Sequence, residues 1–173
     1  MGEYILNEKE QKHLTYLEKA FAEILQSYLQ NCAKNETQVN WIIAQLFVPD
    51  EDVYDLVQYV IMHLNFRRKI EVLKSLLRKR QPKIYKKHLA DLDSFIRIYD
   101  KRNILAHSYI NVLDSEVKKL NKKRISYRNM GKSFTQPLYL RIEDAQEDIQ
   151  ELLRISNELF DIQSAVLKSK HNI

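Results

Sequence analysis

Apolar residues return every three or four positions over most of this chain, the period of an α-helix with one buried face. Leu14, Leu17, Phe21, Ile24 and Tyr28 share such a face, and Asn7 with Glu10 ahead of them has the spacing of a capping box. Asn35 is expected to stop this helix and Thr37 to cap a second one, which turns Val39, Ile42, Ile43, Leu46 and Phe47 inward. Pro49-Asp50 breaks the pattern and starts the next segment. That segment runs through Leu56, Val57, Val60, Ile61 and Leu64, and resumes with Ile70, Leu73, Leu76 and Leu77 after a kink or gap at Asn65. Gln81-Pro82 closes it and opens another helix, which carries Ile84, Leu89, Leu92, Phe95, Ile96 and Tyr99 inward.

After Ser108 the period changes. Ser108 to Val112 has strand character, Arg124 to Arg128 alternates, Asn129-Met130-Gly131 is a turn signal, and Ser133-Phe134-Thr135 is expected to return as a partner strand. Ile142 to Lys168 is a long acidic amphipathic helix with Ile149, Leu152, Leu153, Ile155, Leu159 and Phe160 among its apolar positions. The pattern predicts an all-α fold: a bundle of four to six helices with a small β-hairpin or extended insertion, about residues 109–139, before the last helix.

Composition narrows the class. At 173 residues the chain is expected to form one domain, residues 1–173, with a sizeable core. Two glycines and three prolines are too few for a turn-rich all-β fold. The lone Cys32 has no partner for an internal disulfide and reads as a helix residue in a reducing cytoplasm. No stretch is apolar for long enough to span a membrane, and no signal-peptide pattern opens the chain, so a cytoplasmic protein is expected.

The net charge of +5 is unevenly spread. Residues 1–55 hold ten acidic and four basic side chains, residues 66–88 hold ten Lys/Arg against Glu71, and residues 117–132 hold seven Lys/Arg and no acid. A phosphate-binding surface has this form, and so do solvated helix faces balanced by acidic terminal helices. On the first reading Arg67, Arg68, Lys69, Arg78, Arg80, Lys122, Lys123, Arg124 and Arg128 are candidate RNA contacts, with Phe66, Tyr85 and Tyr127 available to stack on bases.

Several chemistries drop out. Gly131-Lys132-Ser133 resembles the end of a phosphate loop, but Ser126 stands where its first glycine belongs, so a hairpin tip is the better reading. None of the five histidines pairs with another His or Cys at the spacing of a metal helix, and no metal-binding carboxylate set stands out, so neither a metal nor another cofactor is expected.

One stretch remains, Arg102-Asn103-Ile104-Leu105-Ala106-His107-Ser108-Tyr109. On an ideal helix Arg102 and His107 point about 140° apart. They converge on one ligand only if the helix ends between them or two copies face each other. Arginine holds phosphate oxygens and stabilises growing negative charge, and imidazole moves protons near neutral pH. Asn103 adds a polar group and Ala106 leaves room for close approach. These parts suffice for RNA cleavage by internal attack of a 2′-hydroxyl. A bare Arg-x4-His arises by chance about 0.3 times in a chain of this composition, so the spacing alone decides little.

The extended pattern Arg-x4-His-x-Tyr, with Asn103 in its polar slot, resembles the signature of the HEPN superfamily, and in particular that of HEPN toxins paired with minimal nucleotidyltransferase antitoxins. The resemblance covers these eight residues and agrees with the order of elements around them. It implies a helical homodimer in which the Arg/His motifs of both subunits meet in one cleft. It further implies a metal-independent endoribonuclease of toxin–antitoxin, abortive-infection or other phage-defence type. His107 would be the acid/base, Arg102 the phosphate stabiliser, Asn103 a supporting group, and Tyr109 the residue modified by a nucleotidyltransferase-type antitoxin. The longer insertion departs from the compact paired toxins. A non-catalytic HEPN-like module that binds nucleic acid, a nucleotide or a protein partner is the alternative.

Overall fold

The computed structural model describes residues 7–110, 124–129 and 138–171, with the backbone alone at 109–110, 124–129, 138–139 and 171. Among these residues lie five α-helices: α1 (Glu8–Phe47), α2 (Val53–Tyr59), α3 (Phe66–Arg80), α4 (Pro82–Ala106) and α5 (Ile142–His171). Single 3-10 turns at Asp50–Asp52 and Ile61–His63 flank α2. Strands β1 (Ser108–Ile110), β2 (Arg124–Asn129) and β3 (Leu138–Arg141) form an antiparallel sheet in the order β1-β2-β3. The chain is thus an all-α helical bundle with a small sheet inserted before its last helix. No helix among the described residues is long and apolar enough to cross a membrane.

Local signals account for most boundaries. Asn7 and Glu10 cap α1 reciprocally: the Asn7 backbone N–H donates to Glu10 Oε2 and the Glu10 N–H donates to Asn7 Oδ1, each at 3.0 Å. Asn65 caps α3 by accepting from the Arg68 N–H at 3.0 Å, so the gap there is a true helix start. Pro82 begins α4 directly after Gln81.

Packing divides the chain into two compact units, Met1–Leu29 with Lys101–Gln150, and Gln30–Asp100 with Glu151–Ile173. In the first unit Leu17, Phe21, Ile24 and Tyr28 of α1 are buried, as are Leu105 of α4, Leu140 of β3 and Ala145 of α5. Asp148 is buried there too. It accepts a 2.8 Å hydrogen bond from the Tyr28 hydroxyl and another from the Lys101 ammonium. Strand β2 is central, with Tyr109 opposite Arg128 and Leu140 opposite Ile125.

In the second unit Phe66 stacks on Tyr99 with ring centroids 3.7 Å apart and meets Phe95 edge-on at 4.6 Å. Ile70, Leu73 and Leu77 of α3 are fully buried, as are Ile42 of α1, Leu92 of α4 and Leu152 of α5. Lys69 is buried beside Glu36 of α1, which takes its ammonium at 2.6 Å on one oxygen and the Tyr99 hydroxyl at 2.8 Å on the other.

Three sequence expectations are corrected. Helix α1 runs unbroken through Asn35 and Thr37. The Asn35 side chain donates to the Leu152 carbonyl at 2.9 Å, so its polar group serves a tertiary contact, while Thr37 bonds back to the Ala33 carbonyl within the helix. Phe47, Val60, Leu153 and Phe160 were expected inward and are exposed. Phe47 is the last residue of α1, Val60 follows the end of α2, and Leu153 and Phe160 each sit one position past a buried residue of α5, off the stripe of Leu152, Ile155, Leu159, Ile162 and Val166. Among the described residues the next strand after β2 is Leu138–Arg141; the strand expected at Ser133–Thr135 and the Met130-Gly131 part of the turn expected at Asn129-Met130-Gly131 fall on residues outside the described part, so they are not among these corrections. On α4 Ile98, which the pattern did not turn inward, is buried, while Leu89 and Ile96, which it did, are half-buried.

The Lys69–Glu36 pair yields a stability prediction. Glu36→Gln strands a buried ammonium and is expected to cost about 3–5 kcal/mol, whereas joint replacement of Glu36 and Lys69 by Met is expected to cost far less because both charges leave the interior together. Urea denaturation of the two variants checks the order.

Candidate functional site

Helix α4 delivers the motif to the first unit. Its buried stripe passes through His88, Leu92, Phe95, Ile98, Arg102 and Leu105 at spacings of three and four, so Arg102 stands where a core residue would. It is half-buried, and its Nη1 donates to Asn103 Oδ1 at 2.8 Å. The helix ends at Ala106, and His107 is exposed in the turn that follows. Ser108 closes the last turn by donating to the Ile104 carbonyl at 2.6 Å and then opens β1. The helix end thus falls between Arg102 and His107, so the ideal 140° separation does not bind them. Tyr109 is the second residue of β1; its side chain lies outside the described part. An open groove of about 420 Å³ between α1 and α5 in this unit is lined by Tyr16, Lys19, Glu23, Ser27, Ile142 and Gln146 among others, and none of Arg102, Asn103 or His107 lines it.

The basic candidates fare differently. Arg67 is paired with Asp100, and Arg68 with Glu71 at 3.0 Å. Lys69 is withdrawn from the RNA-contact set, because its ammonium is buried against Glu36. Lys74 is held by Asp93, and Arg80 donates to the Leu46 carbonyl. Arg78, Lys79, Lys83, Lys86 and Lys87 are exposed around the α3–α4 corner. Phe66 belongs to the core and cannot stack on a base, and Tyr85 is half-buried. Arg124 and Arg128 lie on β2, where the backbone alone is described, and Lys122, Lys123 and the side chain of Tyr127 lie outside the described residues.

The second unit gathers a cluster that sequence spacing did not disclose. His88 and Asp91 of α4 meet Glu158 of α5, with one ligating atom of each within 4.8 Å of the others. Arg154 donates to Asp91 Oδ1 at 2.6 Å and to both oxygens of Glu151, at 2.7 and 2.8 Å. The signal available in the sequence was a histidine four residues before Leu92 on the buried stripe; its partner Glu158 is 70 residues away. No protein-family model, curated protein or solved structure matches this chain.

Arg154 also sets an acid response. Its hydrogen bond to Glu151 holds that carboxyl below the usual glutamate range, helped by its charge, by a hydrogen bond from Ser94 and by the charge of Arg97, while partial burial opposes them. The same carboxylates hold the Arg154 guanidinium more firmly charged than usual. A group depressed in the folded state stabilises fully above its unfolded pKa and loses that contribution as pH falls through the folded one. Wild type is therefore expected to lose more stability than Glu151→Gln as pH drops below the ordinary glutamate range, as read by denaturation at stepped pH.

Proposed function

We propose that this chain is a metal-independent endoribonuclease of toxin–antitoxin or phage-defence type, acting on cytoplasmic RNA, with Arg102 and His107 of two copies forming one composite site. The observation that carries this reading is the end of α4 at Ala106, which leaves Arg102 oriented by Asn103 and His107 exposed beyond the last turn. In the proposed reaction the 2′-hydroxyl attacks phosphorus and gives its proton to one imidazole. The 5′-oxygen leaves with a proton from the other, so the products are a 2′,3′-cyclic phosphate and a 5′-hydroxyl. Arg102 holds the non-bridging oxygens as charge builds on them. Tyr109, the second residue of β1, is the residue for a nucleotidyltransferase-type antitoxin to modify.

A non-catalytic module is the second reading. Its support is the pairing of Arg67, Arg68, Lys69 and Lys74 with carboxylates of the same chain, which compensates part of the basic charge of residues 66–88.

RNA cleavage in excess chelator tests the proposal. Wild type is expected to leave cyclic phosphate ends, with the rate reduced about 10²–10⁴-fold in His107→Ala and comparably in Arg102→Ala. A folded, dimeric wild type that cuts no RNA, or variants that cut as well as wild type, would favour the module.

A further inference from the structure

The cluster on α4 and α5 has a feature that ion pairing does not explain. His88 is buried, with a side chain 3% exposed, and its Nδ1 lies 3.0 Å from Glu158 Oε2 and 3.4 Å from Asp91 Oδ2. Yet Nδ1 makes no hydrogen bond among the described residues. At 3.0 Å a hydrogen bond fails only on direction, so the nearer oxygen sits off the axis along which the ring nitrogen would donate. An imidazolium packed between two carboxylates would be expected to aim its N–H at one of them.

Ligands around a metal ion are arranged in this other way. The ion occupies the nitrogen's lone-pair axis, and the oxygens stand to the side of it. With bonds of about 2.1 Å from metal to nitrogen and oxygen, the nitrogen–oxygen edge is about 3.0 Å at a right angle and about 3.4 Å at the tetrahedral angle. The two observed separations fall at these values. We infer that His88 Nδ1, Asp91 Oδ2 and Glu158 Oε2 form a binding site for one divalent transition ion of the zinc class.

The surroundings fit that assignment. Arg154 takes the outer oxygen Oδ1 of Asp91 at 2.6 Å and lies 3.7 Å from the outer oxygen Oε1 of Glu158, leaving Oδ2 and Oε2 facing the histidine. A donor that holds the far oxygen of a ligating carboxylate orients the near one. Glu151 takes two further Arg154 hydrogen bonds and offsets the guanidinium charge near the ion. One nitrogen and two carboxylates suit zinc, cobalt or manganese, while calcium takes six to eight oxygens. Asp91 and Glu158 retain 15% and 28% of their side-chain exposure, which gives the ion a route in and leaves a fourth position for water. Ligands from two helices would make the ion a clamp of α4 on α5 within the second unit.

The test is titration of chelator-stripped full-length chain with Co2+, read by its visible absorption, followed by displacement with Zn2+ and by thermal unfolding with and without Zn2+. One Co2+ per chain, displaced by Zn2+, with a Zn2+-dependent rise in the unfolding midpoint, is expected for wild type. All three signals are expected to be lost in Glu158→Gln, a partly exposed position chosen to leave the fold intact, and in His88→Gln. No Co2+ uptake by folded wild type would overturn the site, and so would uptake that persists unchanged in Glu158→Gln. Neither result bears on RNA cleavage, whose residues lie in the other unit.

Discussion

A carboxylate buried in a helical interior has to be compensated, and the position of the motif depends on one such requirement. Asp148 of α5 lies buried in the first unit and accepts from the Tyr28 hydroxyl and the Lys101 ammonium. Removing either donor would leave charge in a medium that solvates it poorly. Lys101 is the residue before Arg102, so this one interaction binds the last turns of α4 to α5 and to α1. The second unit repeats the device with Glu36, Lys69 and Tyr99. In each case a carboxylate joins a lysine and a tyrosine from different helices, which selects one packing register over neighbours that apolar contacts alone would tolerate.

The helix end then decides what the motif can do. Had α4 continued past Ala106, His107 would sit on a different face from Arg102. Ser108 instead spends its hydroxyl on the Ile104 carbonyl and turns the chain into β1. Arg102 keeps its guanidinium near the stripe that packs the rest of α4, with Asn103 as its partner. The arrangement thus couples a half-buried, oriented cation to an exposed imidazole five residues on, and the polar residues that look misplaced in an apolar pattern are the ones placed at the end of the helix.

Electrostatic balance separates the two basic stretches that the charge count treats alike. Across residues 66–74 the cations pair with carboxylates on α1, α3 and α4, Lys69 in the interior, Lys74 partly buried, and Arg67 and Arg68 at the surface. Around Gln81-Pro82 the turn between helices leaves Arg78, Lys79, Lys83, Lys86 and Lys87 exposed. The clustering of charge along the chain therefore overstates the surface available to a polyanion.

Local chemistry determined by itself the reciprocal cap of Asn7 and Glu10, the start of α3 after Asn65, the α3–α4 corner at Gln81-Pro82, the strand character after Ser108 and the eight-residue stretch holding Arg102 and His107. Each rests on residues within a few positions of one another, where backbone preference and side-chain reach suffice. Tertiary structure alone decided that Asn35 would serve Leu152 without ending α1, that Lys69 would be buried against Glu36, and that His88, Asp91 and Glu158 would converge. Those outcomes join residues 33, 67, 70 or 117 positions apart, and a long-range pairing leaves no period in the chain; it is set by which helix faces meet once the core has packed.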